Sequence, residues 1–299
     1  MKLRDIGEDQ LIGQLFSRLS LGKELVNGLG DDCAVVRTRD HRNLLVLKTD
    51  CVVAGIHFLP TANVLHVGWK AMMRPLSDFA ATSAVPQFAL ITLIAPEKTK
   101  VEWVERLYRG LSRAAKRFKV SIVGGELSGT AGPVAISVSV VGFVETNRCV
   151  SRGGGKAGDD LFVTGRLGGA LKQKHLRFVP RIVESRWLTS NFPIHAMMDL
   201  SDGLGADLPR LAKASRVGFD IELESLPLAR GAKIDNAISE GEDYELLFAI
   251  SRRERNRLLR SWQKKFPRLL LTRIGSFSGR STRNHQLLPR GYTHFQQPG

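Results

Sequence analysis

MDLSDGLGADLPRLAKAS, residues 198–215, is the stretch on which the reading turns. It reads as an extended turn that runs into a helix beginning near Gly205. Asp199 and Asp202 stand three apart in the turn, with Ser201 between them. Two readings are open. One acid caps the helix, as Asp commonly does. Alternatively, both approach one metal cluster while the hydroxyl and neighbouring amides face a phosphate.

Working outward, other acids occupy the same kind of place. Asp31 and Asp32 lie in GDDCA, Asp50 ends KTD, Asp78 ends PLSD and Glu126 lies in GGELS. A single acid in a turn is ordinary turn chemistry. Several at strand ends favour a site for Mg²⁺, which takes hard oxygen ligands and commonly shares them with substrate phosphates. The usual nucleotide loops are absent. RGGGKAGDD (152–160) follows its lysine with alanine and fails the P-loop pattern, and no GxGxxG opens a helix after a strand. Bound ATP would therefore depend on metal ions held by dispersed carboxylates. No GxSxG elbow occurs and Cys33 has no local histidine, so covalent catalysis is not expected. His57, in VAGIHF, either contacts a ligand or is a satisfied structural histidine.

The rest of the chain alternates strands and helices. A helix is expected over 6–19, a glycine-led turn into a strand over 28–36, and a β-type run over 43–53. A helical stretch over 64–84 contains Pro75, expected to kink or split it. A strand over 88–95 precedes the clearest helix, 102–118, where Trp103, Leu107, Leu111 and Ala115 recur on one face. Residues 120–130 read as strand then turn, and 133–144 as a long strand. A polar break over 145–156 separates the halves. The second half has a strand into a glycine turn over 160–165, a strand over 219–227, a turn entering a strand over 241–250, a basic helix over 252–268 and a final strand near 269–274.

The 299 residues suit two domains of about 150 each, and 43% hydrophobic content lets both bury a core. Net charge is +15 and the pI about 10.2. Much of the excess lies in RRERNRLLRSWQKKFPR (252–268), read as a solvated helix face. Nucleic acid is not the expected partner, because no array of aromatics accompanies the charge. Cys33, Cys51 and Cys149 form no CxxC pair, so disulfides and zinc are unexpected and a reducing, cytoplasmic compartment is. MKLRDIGEDQLIGQLF does not read as a signal peptide, and no membrane span is expected.

GLGDDCAVV, KTDCVVAGIHF, LSDFAATSAVP, IVGGE, ISVSVVGFV, SRGGGKAGDDLFVTG, MDLSDGLGADL, GEDYELLF and the terminal GYTHF together resemble the thiamine-monophosphate kinase family over nearly the whole chain. That family is similar to aminoimidazole ribonucleotide synthetase, selenophosphate synthetase and a hydrogenase maturation enzyme. The resemblance implies a two-domain α/β (α+β) fold. Residues 1–145 would bind ATP and magnesium and pair their sheet across a homodimer; 146–299, an α/β sandwich, would complete the nucleotide and substrate site. It implies ATP-dependent phosphorylation of thiamine phosphate to thiamine diphosphate, with several Mg²⁺ ions. Carried over by position, Asp31, Thr49, Asp50, Asp78, Glu126, Asp199 and Asp202 form the magnesium set. Gly125, Arg152 and Ser201 fall at the nucleotide, and His57, Glu242 and Tyr292 at the substrate. Asp199, Asp202 and Arg152 would carry the chemistry. Two departures stand out: Glu126 replaces the aspartate of GGD, and Arg74-Pro75 precedes Leu76-Ser77-Asp78 where the family has NLSD. The alternatives are a related enzyme on another phosphorylated metabolite, or a basic nucleic-acid-binding protein on the same scaffold.

Overall fold

The computed structural model describes residues 2–172 and 174–279 together with Leu288, Gly291 and Tyr292. Its N-terminal half opens with two short helices, α1 (Leu3–Ile6) and α2 (Glu8–Phe16). The sequence suggests one helix over 6–19, whereas α1 ends at Ile6 and α2 stops at Phe16. Gly7, at φ 78°, divides the two, a backbone geometry that glycine adopts without strain.

Six strands follow: β1 (Leu25–Asn27), β2 (Ala34–Arg37), β3 (Asn43–Val53), β4 (Val85–Ala95), β5 (Ser121–Gly129) and β6 (Ala135–Glu145). They form one sheet in the order β1-β2-β3-β6-β4-β5, antiparallel except for the β4–β5 pair. β5 runs straight through Gly124 and Gly125, where a turn was expected. Side chains alternate across the sheet. Leu44, Val46 and Val52 of β3, with Ile136, Val138 and Val140 of β6, are buried on one face.

Two helices cover that face, α3 (Val64–Ala81) and α4 (Val101–Arg117). α3 passes through Pro75 as a single element. Met72, Met73, Leu76 and Phe79 on its buried turns are fully enclosed, and this packing outweighs the lost amide. The helices cross closely because a glycine stands on each side. A Cβ on Gly68 would lie 2.2 Å from Leu107 O, and one on Gly110 2.2 Å from Leu65 O.

The C-terminal half contains β7 (Asp159–Thr164), α5 (Ile182–Asn191), β8 (Ile194–Asp199), α6 (Leu204–Ser215), β9 (Gly218–Ile221), α7 (Ile234–Ser239), β10 (Leu246–Ser251), α8 (Arg255–Lys265) and β11 (Leu271–Ser278). The strands form an antiparallel sheet in the order β8-β10-β7-β11-β9. β9 is shorter than expected, because a 3₁₀ turn begins at Leu223. Leu204, Leu208 and Leu211 of α6 share a core with Val163, Met198 and Leu247. On the other face Leu188, Leu258 and Trp262 join Phe162, Met197 and Phe248, and this core is continuous with Met72, Leu76 and Phe79 of the first half. The two halves thus meet through buried apolar surface. No helix among the described residues is long and apolar enough to cross a membrane.

Candidate active site

Three carboxylates from distant parts of the chain converge at the seam between the halves. Asp32 lies in the turn before β2, Asp78 near the end of α3 and Asp199 at the end of β8. One oxygen of each lies within 4.8 Å of the others, and all three residues are buried. Burial, followed by the neighbouring charge of Asp32, raises the Asp199 carboxyl to about 7. Burial also drives Asp78 well above the usual carboxylate range, against the pull of Lys48.

Cations from both halves flank the cluster. Lys48 Nζ on β3 donates to Asp78 Oδ1 at 2.8 Å. Arg152 grips Asp32 with two parallel bonds, Nη2 to Oδ1 at 2.6 Å and Nε to Oδ2 at 3.1 Å. Close buried carboxylates with raised proton affinity fit a hard divalent cation, which would relieve their mutual repulsion. Asp32, Asp78 and Asp199 are therefore the residues that could hold Mg²⁺.

The sequence-expected residues divide around this cluster. Asp78 and Asp199 are in it. Asp31 is adjacent but serves the turn, its Oδ1 accepting from the amides of Asp32 at 3.0 Å and Arg152 at 3.3 Å. Burial and the Asp32 charge raise its carboxyl to about 6. Asp50 pairs with Arg74, Nη2 to Oδ1 at 3.3 Å. Burial opposes its charge, but Arg74 and then Lys48 outweigh burial and hold the carboxyl below its ordinary value.

Thr49 points to the opposite sheet face, where its hydroxyl meets Ser137 at 3.3 Å and Ser139 at 3.0 Å. Glu126 is exposed on β5, in register with Thr92, and accepts from Ser128 Oγ at 3.5 Å. At Gly125 a Cβ would lie 1.8 Å from Ile91 O, so glycine there permits the close approach of β5 to β4.

Asp202 turns from the cluster to Arg210, Nη1 to Oδ2 at 2.5 Å. The amides of Ser201 and Asp202 both donate to Asp207 Oδ2 at 3.0 Å. Asp207, fully buried on the first turn of α6, shapes this loop. The sequence reading missed its role, although acids in the first helical turn are a recognisable signal. Asp32 was visible as the neighbour of Asp31, and only the turn geometry selects it.

A second network borders the site. Lys70 on α3, its side chain wholly buried, donates to His57 O at 2.6 Å and to Glu242 Oε1 at 2.5 Å. His175 Nδ1 lies 2.8 Å from both Lys70 Nζ and Glu242 Oε2. Burial works against the Glu242 charge, but His175 and Lys70 prevail and bring its carboxyl down to about 2. His57 is placed by a turn in which its Nδ1 accepts from Val53 N at 3.1 Å. Tyr244 is buried and stacks on Phe178, with ring centroids 3.8 Å apart. Tyr292 N donates to Asp202 O at 2.9 Å, which brings the GYTHF segment to the acidic loop. Residues 293–295 of that run lie outside the described residues.

Comparison with known proteins identifies the family of the chain and its fold. Residues 30–144 match the family described as AIR synthase related protein, N-terminal domain, and residues 150–265 match its C-terminal domain. The chain is 34% identical to thiamine-monophosphate kinase of Rhodopirellula baltica, over 96% of this chain and 97% of that protein. It is also 34% identical to the Aquifex aeolicus enzyme, over 99% and 100%. The solved structure of AaThiL complexed with AMPPCP and TMP superposes with a TM-score of 0.82 at 33% identity, covering 98% of this chain and 99% of that one. Escherichia coli HypE, a hydrogenase maturation protein, shares the fold with a TM-score of 0.68 at 20% identity, over 91% and 92%. The chain belongs to the thiamine-monophosphate kinase family.

Proposed function

We propose that this protein transfers the γ-phosphoryl group of ATP to the phosphate of thiamine phosphate, giving thiamine diphosphate and ADP. The observation that carries the reading is the convergence of Asp32, Asp78 and Asp199 from both halves, flanked by Lys48 and Arg152. A site of buried carboxylates and cations suits metal-bound polyphosphate. Mg²⁺, when bound, supplies charge neutralisation of the phosphate oxygens. Lys48 and Arg152 add positive charge on either side.

The acceptor phosphate oxygen is already anionic at neutral pH, so no general base is needed. Its lone pair forms the new O–P bond in line. The bond from the γ-phosphorus to the β,γ-bridging oxygen breaks, and that electron pair leaves on ADP. Tyr292 and His57 would serve the substrate side, where an aromatic ring can stack on a cationic thiazolium. Residues 1–145 would supply Asp32, Lys48 and Asp78, and residues 146–299 Arg152 and Asp199. ATP, thiamine phosphate and Mg²⁺ in a cytoplasmic setting are the working partners of this reading.

Incubation with ATP, thiamine phosphate and Mg²⁺ should yield thiamine diphosphate and ADP in equal amounts. ATP turnover on a different phosphorylated metabolite, with none on thiamine phosphate, would assign the site to a related enzyme instead. A homodimer is part of the same proposal. Phe88 and Leu90 of β4 are nearly half exposed on the sheet face away from the helices, and Thr49 faces the same way. A second copy laid on that face would cover the apolar strip. Light scattering should then give twice the chain mass of 33.0 kDa, and a monomer mass at micromolar protein would remove the dimer from the proposal.

A further inference from the structure

We propose that the hollow where β7 ends beside the start of β11 is a second ligand site, which takes the diphosphate group of a small anion. Its volume is about 330 Å³, and Arg166, Lys174, Arg181, Arg230 and Arg268 line it together with Glu245. The cations come from three separate stretches of chain. Arg166, Lys174 and Arg181 lie between β7 and the first turn of α5, Arg230 in the loop after β9, and Arg268 between α8 and β11. Arg268 ends the basic run read from sequence as a solvated helix face, but α8 stops at Lys265 and leaves this residue at the hollow.

The floor is fixed. The Glu245 side chain is only 2% exposed and accepts from Arg181 Nε at 2.6 Å and Nη2 at 2.7 Å, from Lys174 Nζ at 3.0 Å and from Thr164 Oγ1 at 2.9 Å. Gly165, at φ 64°, makes room for it, since a Cβ there would lie 2.3 Å from Glu245 Cδ. The other acids within reach also go to the floor cations, Asp243 at 4.0 Å from Lys174 and Glu184 at 3.8 Å from Arg181. The rim is different. Arg166, Arg230 and Arg268 have no ion-pair partner among the described residues. Arg166 Nη1 is tied to Leu228 O at 2.9 Å, which holds that residue at the hollow. Guanidinium groups around one hollow repel one another unless an anion joins them. Their planar forks match phosphate oxygens two at a time, and a diphosphate offers enough oxygens to engage several forks. The volume is at the low end of the roughly 300–1,000 Å³ typical of small-molecule pockets, too small for a long polyanion. Leu269 and Leu270 supply an apolar wall for an organic remainder. The hollow is distinct from the acidic cluster: Glu242 of the loop before β10 turns to Lys70 and His175, while Glu245 of the same loop turns here.

The test is calorimetric titration of the full chain in EDTA at about 0.1 M salt. The probes are inorganic diphosphate, a short alkyl diphosphate, and citrate as a polyanion without phosphate. Wild type should bind one diphosphate per chain, at least tenfold more tightly than citrate. Arg230→Ala/Arg268→Ala alters two exposed side chains, so it should melt as wild type and lose at least tenfold in diphosphate affinity. Arg152→Gln, at the acidic cluster, should keep that affinity within threefold; if it does not fold, the double variant decides. Tighter binding of the alkyl diphosphate assigns the site to organic diphosphates resting on Leu269 and Leu270, and equal or weaker binding assigns it to inorganic diphosphate. No diphosphate binding by wild type, equal binding of citrate, an unchanged affinity in the double variant, or a tenfold loss in Arg152→Gln each overturns the proposal. The titration contains neither ATP nor thiamine phosphate, so its outcome is separate from that of the kinase assay.

Discussion

Asp199 and Asp202 are three residues apart and have different lives. Asp199 is buried against Asp32 and Asp78, and its carboxyl is raised to about 7 by burial and that repulsion. Asp202 is half-buried and bound to Arg210. Asp199→Asn removes a charge that the metal-free fold accommodates poorly. We expect its melting temperature without metal to hold or rise. Turnover should fall more than about 100-fold, a loss near 2.7 kcal/mol in transition-state stabilisation. Asp202→Asn should lose turnover too, but it breaks the Arg210 pair and should melt below wild type. Melting curves with EDTA, beside initial rates at saturating ATP and Mg²⁺, separate the two. Near-wild-type turnover in Asp199→Asn would remove it from the metal site.

At the scale of elements, the α3–α4 crossing is set by Gly68 and Gly110. A methyl at either would meet a carbonyl oxygen of the other helix at 2.2 Å. Gly110→Ala must push the helices apart and should cost about 1–3 kcal/mol, read as a lower denaturant midpoint with an unchanged slope. Equal midpoints would mean that the crossing relaxes freely. Much of this architecture is legible in sequence. The 43–53 run becomes β3 with the expected bounds, and the four-residue repeat of Trp103, Leu107, Leu111 and Ala115 lies in α4. β8 gave no signal because IHAMMD has one β-branched residue and owes its strand form to β10 beside it. Pro75 misled because local propensity says nothing of the surrounding core. In the site, the placement of acids in turns and at strand ends drew notice to Asp32, Asp78 and Asp199, which the structure brings together. It could not decide which neighbour of a pair turns inward: Asp32 joins the cluster while Asp31 serves the turn, and Asp50 faces α3 while Thr49 faces away.

For the molecule as a whole, buried acids tie stability to pH and metal. Asp31 is raised to about 6, and Asp199 and Asp243 to about 7, each chiefly by burial. Their folded values exceed the unfolded ones, so the folded state holds more protons between about pH 4 and 7 and loses stability as pH rises through that window. Glu242, brought down to about 2, acts in the opposite sense; its contribution is present above about pH 4.5 and disappears as pH falls toward 2. On these groups, metal-free protein should therefore melt highest between about pH 3 and 4 and lower at pH 7 than at pH 5. Added Mg²⁺ should raise the melting temperature more at pH 8 than at pH 5, because only ionised carboxylates bind it. Scanning calorimetry with EDTA or Mg²⁺ checks both, and a metal-free maximum at pH 8 would contradict the linkage. The alternation of β3 also bears on what kinds of genetic change this chain can survive. Lys48 and Asp50 face the helices and Thr49 the open side, in a strand paired residue by residue with β6 from Asn43 to Val53. A point substitution disturbs one position. A single in-frame codon gained or lost within the strand would turn every later side chain to the other face, moving the lysine or aspartate out of the site together with the buried valine. Length variation among descendants of this gene should therefore accumulate in the turn at 38–42 and the break after Glu145, while β3 keeps its length even as its apolar residues drift.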